Sequence, residues 1–209
     1  MMLEFLGRIT KGKAEGVSPQ IEKGPKPISV RFVDPLNIDS QTKEVLVSIE
    51  KEGKNVNFKE SMGTWVFGAG EGDFYSKDYG NCIGVVVIGI NKKTGEPLTL
   101  MTHQNTEELP GFGEGMEERF MQELSSYLKI MKQQTKKGSM DCVRFGGFDG
   151  GYGSDSEYEK SINLATAVVK KELGLELRVV AEPNMEGTTD AYFDAKNRTL
   201  YIVRIPQKE

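Results

Sequence analysis

Residues 80–103 read GNCIGVVVIGINKKTGEPLTLMTH, and this stretch decides how the rest of the chain is interpreted. Ile83–Ile90 is a β-branched apolar run bounded by turn residues, which predicts a buried strand. Residues 91–95, NKKTG, are typical of a hairpin turn, and Pro97–His103 predicts the returning strand. We therefore expect an antiparallel hairpin, in which the beginning of the first strand lies beside the end of the second.

Further elements are predicted on both sides of this hairpin. Apolar residues recur at helical spacing between Met116 and Met131, and a second helix is expected from about Glu157 to Leu173. The glycine-rich segment 68–81 predicts a long loop. Hairpins mixed with helices predict an α+β fold with layered mixed or antiparallel sheets, resembling a β-sandwich and flanked by two main helices. Additional strands are predicted by β-branched or alternating stretches at 28–33, 44–49, 64–67, 140–145, 175–181, 191–193 and 199–205.

The length of 209 residues suits one domain of ordinary size. Residues 1–27 contain several Gly and Pro residues and alternating charges, which predict a flexible N-terminal segment. Residues 28–209 are expected to form a single α+β domain, with residues 28–75 as an N-terminal extension that packs on it.

Composition argues against several classes of protein. The net charge of -4 shows no basic excess, so nucleic acid is not an expected partner. The apolar run Cys82–Ile90 is far shorter than the ~20 residues needed to cross a bilayer, so no membrane insertion is expected. The N-terminal residues lack the apolar stretch of a secretory signal. We expect a cytoplasmic protein, with signal-free export as an effector left open.

The reactive side chains are few, which narrows the chemistry. The sequence has one histidine, His103, and two cysteines, Cys82 and Cys142. Cys82 opens the first strand of the hairpin and His103 closes the second, so antiparallel pairing places them together at one end of the sheet. A thiol beside an imidazole can lose its proton at neutral pH, and the thiolate is the nucleophile. The backbone N–H groups of Gly80-Asn81-Cys82 can stabilise an oxyanion, and glycine lets a substrate approach the backbone.

Other interpretations of the same residues stay open. Cys82 can be a small buried apolar residue, and His103 an ordinary polar group with its hydrogen bonds satisfied. Cys142 is expected to be a structural thiol, but it becomes the nucleophile if the hairpin pairing differs. Cys82, Cys142 and His103 would also supply the three ligands of a catalytic zinc site. The favoured prediction is a site with no metal and no cofactor.

A series of motifs follows in order from Gly80 onward. A turn with cysteine at 80–82 precedes an apolar strand, and the next strand ends in histidine at 103. Phe-Gly-Gly at 145–147, Ile-Asn at 162–163 and Phe-Asp at 193–194 follow in order. This order resembles the CheD-like family of chemoreceptor glutamine deamidases. That family shares its fold group with the catalytic domain of cytotoxic necrotizing factor and with bacterial lethal-factor deamidases. Asn81 stands where the family has serine, and Thr188-Thr189 where it has Gly-Arg.

The resemblance implies a reaction and roles for three residues. It implies hydrolysis of a glutamine side-chain amide on a protein partner, with release of ammonia. Cys82 would attack the amide carbon to form a thioester, and His103 would act as base and then protonate the ammonia. Ser76 occupies the position of the family's threonine, six residues before the cysteine, which orients the histidine. Two alternatives remain: another amide or ester substrate, and an inactive protein that uses the fold as a binding module or adaptor.

Overall fold

Two five-stranded sheets form the centre of the fold. The computed structural model describes residues 25–57, 65–80, 82–105, 115–146, 155–180 and 187–206, with the backbone alone at 155–159 and 161. The first sheet contains, in spatial order, β1 (Ser29–Val33), β10 (Thr199–Pro206), β9 (Gly187–Asp194), β4 (Phe74–Tyr79) and β2 (Lys54–Asn55). The second sheet contains β3 (Trp65–Glu71), β6 (Pro97–Asn105), β5 (Cys82–Ile90), β7 (Asp141–Gly146) and β8 (Arg178–Val179).

Both sheets are mixed. The pairs β1–β10, β2–β4 and β7–β8 are parallel, and the other neighbouring strands pair antiparallel. The predicted hairpin is present as β5 and β6, in which Val86 pairs with Met101 and Ile90 with Pro97. The predicted α+β fold with layered mixed sheets is therefore confirmed.

The sheets and helices stack in four layers. The inner faces of the two sheets share one apolar core, which includes Phe74, Val86, Met101, Phe145 and Phe193. The helix α1 (Ser40–Glu52) covers the outer face of the first sheet. The helices α2 (Met116–Gln134) and α3 (Asp155–Leu173) cover the outer face of the second. Because both faces of β5 are covered, an uninterrupted apolar sequence suits this strand.

The two predicted helices are confirmed as α2 and α3. Phe120, Leu124, Leu128 and Met131 form the buried stripe of α2, as their spacing predicts. Both helices carry lysines in their last turn, where the negative end of the helix dipole favours cations. Among the described residues, no helix has the length and apolar character needed to cross a membrane.

The strand predicted at 44–49 is wrong, because these residues belong to α1. The Asp39 side chain accepts a hydrogen bond from the Thr42 N–H at 2.8 Å and so caps the first turn. Thr42, Leu46 and Ile49 are the buried residues of this helix, at helical spacing. Alternating β-branched residues resemble a strand over a few positions. This helix is additional to the two that were predicted, and it covers the outer face of the first sheet.

The loop predicted at 68–81 is also wrong. The strand β3 continues to Glu71, and Phe74–Tyr79 forms β4. Gly68 does not mark a turn. A Cβ on Gly68 would lie 2.6 Å from Cγ2 of Val56, so glycine here lets the edges of the two sheets approach closely.

The remaining predicted strands differ from the structure mainly in length. Strands are confirmed at β1, β3, β7, β9 and β10, with ends displaced by a few residues. The stretch 175–181 contains only the two-residue strand β8. Residues 28–75 contribute β1, α1, β2 and β3, and thus strands to both sheets. Most of the N-terminal segment predicted to be flexible, residues 1–24, lies outside the described residues.

One connection between the sheets positions the site. Tyr79 ends β4 in the first sheet, and Cys82 begins β5 in the second. The strand β6 reaches the same end of the sandwich at Asn105, which pairs with Cys82. The strand β7 also ends there, at Gly146, which pairs with Ile83. Side chains from β4, β5 and β6 therefore meet between the sheets.

Two glycines near this end give a matched test of the packing. A Cβ on Gly84 would lie 2.6 Å from Cε1 of Phe145, whereas a Cβ on Gly80 meets no atom of the described residues within 4 Å apart from its chain neighbours. We expect Gly84→Ala to lower the free energy of unfolding by about 1–3 kcal/mol, the usual range for overpacking. Gly80→Ala should change it little, because φ at Gly80 is not positive. Urea unfolding of both variants measures the difference, and equal effects would contradict this packing.

Candidate active site

Ser76 and His103 meet across the two sheets. The Ser76 Oγ lies 2.9 Å from His103 Nδ1. Ser76 is fully buried on β4, and His103 is 1% exposed on β6. His103 was expected here from the hairpin pairing and Ser76 from the family resemblance, and the structure brings the two into direct contact.

A second hydrogen bond of Ser76 determines which nitrogen of His103 carries the proton. The Ser76 hydroxyl donates to the carbonyl oxygen of Val56 at 2.9 Å. Its single proton is then used, so it accepts from the Nδ1–H of the imidazole. The neutral ring consequently keeps its lone pair on Nε2, the nitrogen suited to act as a base.

Tyr79 lies flat against the same imidazole. The ring centroids of Tyr79 and His103 are 3.9 Å apart with an interplanar angle of 17°. Phe145 also contacts the tyrosine ring edge-on, at a centroid distance of 5.0 Å. The Tyr79 hydroxyl donates to the carbonyl oxygen of Thr102 at 2.9 Å. The histidine is thus held at Nδ1 by a hydroxyl and on its face by an aromatic ring.

Burial controls the charge of His103. Loss of contact with water lowers the pKa of His103 to about 3, because the imidazolium cannot be hydrated between the sheets. Burial likewise raises the pKa of Tyr79 far above its ordinary value, so the phenol keeps its proton. At neutral pH the site therefore contains a neutral imidazole and a neutral phenol.

Cys82 lies on the same sheet face as His103. Cys82 pairs with Asn105 and Ile83 with Gln104, so the register places Gly84 opposite His103. Opposite residues share a face, as do residues two apart on one strand. Cys82 and His103 are therefore diagonal neighbours, whose Cα atoms are typically about 7–8 Å apart. Cys82 is 6% exposed at the end of the inner core.

The proposed oxyanion residues are only partly described. The Gly80 N–H donates to the carbonyl oxygen of Asp78 at 2.9 Å, so it serves a tight turn in this conformation. Within the described residues the space beside Gly80 is open, since none of their atoms beyond its chain neighbours lies within 4 Å of a Cβ built there. Asn81 lies outside the described residues. Gly80 thus leaves room beside the cysteine, and its N–H would have to exchange partners to bind an oxyanion.

Cys142 does not join the other two reactive residues. Its side chain belongs to the core between the second sheet and the helices, whereas Cys82 belongs to the core between the sheets. Burial raises the pKa of Cys142 to about 12, and its Sγ donates to the carbonyl oxygen of Glu176. Cys142 is therefore a structural thiol. No cluster of three or more potential metal-ligating residues occurs in the described part of the chain.

Sequence reasoning did not identify Tyr79 or Val56 as parts of the site. Tyr79 lies in a segment interpreted as a loop, and Val56 supplies only a backbone oxygen. Val56 comes into position because β2 pairs with β4 and the Val56 N–H donates to the Tyr75 carbonyl. A single aromatic residue three positions before a cysteine is too weak a signal to have indicated this role.

Comparisons with known proteins give no information about this site. The chain matches no protein-family model. A comparison with curated proteins gives no match either. The CheD-like resemblance accordingly rests on the residues of this sequence and remains a prediction.

The depressed pKa of His103 makes a prediction about stability against pH. The unfolded imidazole titrates near pH 6.5, whereas the folded one has a pKa of about 3. Between these values the unfolded state binds the extra proton, so stability falls as the pH is lowered from 6.5. The slope approaches 1.4 kcal/mol per pH unit, roughly 2.303RT.

Comparison with His103→Gln isolates this contribution. Urea unfolding of both proteins between pH 4.5 and 7 gives the difference in free energy of unfolding, in which carboxylates common to both cancel. We expect the advantage of the wild type over the variant to shrink steadily as the pH falls. A pH-independent difference would mean that His103 titrates alike in the folded and unfolded states.

Proposed function

We propose that this protein is a cysteine hydrolase that deamidates a glutamine side chain of a protein substrate. Cys82 is the nucleophile, His103 the general base and acid, and Ser76 the residue that orients the imidazole. The reaction needs no cofactor. The glutamine substrate comes from the CheD-like resemblance, whereas the dyad chemistry is supported by the geometry of the described residues.

The observation that carries this proposal is the 2.9 Å contact between Ser76 Oγ and His103 Nδ1. Polar groups are rarely buried together in an apolar core without a reason, because an unmatched one costs about 1–3 kcal/mol. Here a hydroxyl and an imidazole are buried in contact, and their hydrogen bonds leave the Nε2 lone pair as the base. The sheet register brings Cys82 to the same face as this imidazole.

The proposed reaction has two stages. The Cys82 Sγ forms a bond to the amide carbon while the thiol proton moves to His103 Nε2. The C–N bond then breaks, and the same proton passes to the nitrogen, which leaves as ammonia. In the second stage His103 takes a proton from water, the hydroxide displaces the thiolate from the thioester, and the proton returns to sulfur. The products are glutamate, ammonia and regenerated enzyme.

The burial of His103 determines when the proton moves. A stable thiolate–imidazolium pair would require the imidazolium, which desolvation disfavours between the sheets. We therefore infer that proton transfer accompanies attack on the substrate instead of preceding it. Ser76 stabilises the transient imidazolium by continuing to accept the Nδ1–H.

One observation favours the second candidate, an inactive binding module. Cys82 is 6% exposed and His103 is 1% exposed, so the described conformation offers a substrate little access. An enzyme would have to open this end of the sandwich, whereas a binding module would not. Measured activity separates the two candidates.

The direct test is ammonia release from the full chain incubated with casein and with benzyloxycarbonyl-Gln-Gly. The matched Asn-Gly dipeptide and a glutamate methyl ester peptide distinguish glutamine from other amides and from esters. We expect ammonia from the glutamine substrates. Cys82→Ala should abolish the activity, and His103→Ala should reduce it by about 10²–10⁴-fold, the usual contribution of general acid–base catalysis.

Cys142→Ser is the matched control, because it removes the other thiol on the opposite face of the sheet. It should retain activity. Alkylation of Cys82 by chloroacetamide, located by peptide mapping, provides a readout that needs no substrate, and His103→Ala should slow it. The proposal fails if no substrate releases product and Cys82 reacts at the same rate in the wild type and in His103→Ala.

A further inference from the structure

A β-bulge lies in β4 between Ser76 and Tyr79, the two residues that contact His103. Ser76 pairs with Ala191 and Tyr79 with Thr189, so two residues of β4, Lys77 and Asp78, face the single residue Asp190 of β9. In a regular strand, residues three apart point to opposite faces. The extra residue of the bulge changes this, and both Ser76 and Tyr79 are buried. Bulges commonly redirect side chains in this way beside active sites.

Asp190 holds the backbone of the bulge. Its Oδ1 accepts a hydrogen bond from the Asp78 N–H at 3.0 Å. Asp78 has φ of 62°, in the left-handed region, where a residue other than glycine is strained. The surrounding structure must supply the energy that keeps this conformation, and the hydrogen bond to Asp190 is a side-chain contact made directly by the strained residue.

The carboxylate of Asp190 lies in an unusual environment for an anion. Asp190 is 7% exposed. Burial raises its pKa, the bond from Asp78 opposes the rise, and the charges of Asp78 and of Glu50 on α1 add to it, while Lys77 counteracts them. Burying a carboxyl group beside two other acids lowers the free energy of unfolding unless a hydrogen bond to the group offsets the cost.

We propose that Asp190 is a positioning residue for His103: by accepting the Asp78 N–H it maintains the bulge that turns Ser76 and Tyr79 together onto the imidazole. Ser76 then binds Nδ1 at 2.9 Å, and Tyr79 stacks on the ring at 3.9 Å. Without the bulge, one of the two side chains would point to the outer face. This inference rests on the proposed function only for its effect on catalysis, because the effect on the imidazole is measurable in the protein alone.

The chain offers a matched control for a merely structural role. Asp73 Oδ1 accepts a hydrogen bond from the Ala195 N–H at 2.8 Å. Asp73 directly precedes β4 and Ala195 directly follows β9, so this bond links the same two strands by the same kind of contact at the opposite end of β4. Burial also raises the pKa of Asp73. Asp73→Ala should cost stability without disturbing His103.

The test compares Asp190→Ala, Asp190→Asn and Asp73→Ala in the full chain. The first readout is the titration of the His103 Cε1–H by proton NMR, which needs no assignment because the sequence has one histidine. The second is the rate of ammonia release from casein. Asp190→Asn keeps an oxygen that can accept the Asp78 N–H, so it serves as the conservative rescue. If Asp190→Ala does not fold, Asp190→Val replaces it, since a β-branched residue suits a strand and carries no acceptor.

We expect His103 in Asp190→Ala to titrate closer to the ordinary value of about 6.5, because the ring loses its stacked and buried setting. The rate should fall by roughly 10²-fold, the effect of misplacing a catalytic group by about 1 Å. Asp190→Asn and Asp73→Ala should leave both readouts close to the wild type.

Two results separate this inference from the proposed function. If the His103 titration moves in Asp190→Ala, but wild-type protein releases no product from any substrate and Cys82 is alkylated at the same rate in the wild type and in His103→Ala, the positioning role stands and the proposed function fails. If the wild type is active and Asp190→Ala leaves the titration and the rate unchanged, the positioning role is overturned. An equal change of the His103 titration in Asp73→Ala would also overturn it, since the effect would then be general destabilisation.

Discussion

The hydrogen bond between Ser76 and His103 is the interaction on which the rest of the site depends. It joins a strand of the first sheet to a strand of the second inside the apolar core between the sheets. Its geometry requires β4 to lie in register with both neighbouring strands. The pairing of β4 with β2 positions the Val56 carbonyl that accepts the hydrogen bond from the Ser76 hydroxyl, and the pairing with β9 contains the bulge that follows Ser76. The way the two sheets pack therefore also determines the orientation of the imidazole.

The burial that orients His103 also limits its chemistry. A ring that stacks on Tyr79 and contacts Ser76 at Nδ1 has little freedom to rotate, which fixes the direction of Nε2. The same low-dielectric surroundings make the charged form costly, so the base is neutral at rest. Gly84 contributes to this arrangement by its lack of a side chain, because the ring of Phe145 occupies the space where a Cβ would lie. The proposed reaction would therefore depend on transient proton transfer and on how substrate reaches Cys82.

The parts of the structure that follow from local patterns could be predicted, and those that depend on distant pairing could not. The β5–β6 hairpin and α2 have strong periodic signals and were predicted correctly. Segment 44–49 was misinterpreted because β-branched residues alternate inside a helix. The role of Ser76 was predicted only from the family resemblance. Tyr79 and Asp190 escaped notice because the bulge exists only where β4 meets β9, a strand more than a hundred residues later.

The most direct test of this account is a long-range ¹H–¹⁵N NMR spectrum of His103 at neutral pH. The two ring nitrogens of the single histidine report its tautomer and charge without ambiguity. We expect a neutral ring with the proton on Nδ1 and an unprotonated Nε2, and loss of this preference in Ser76→Ala. A ring protonated on both nitrogens, or a neutral ring with its proton on Nε2, would contradict the assignment of His103 as the base that serves Cys82.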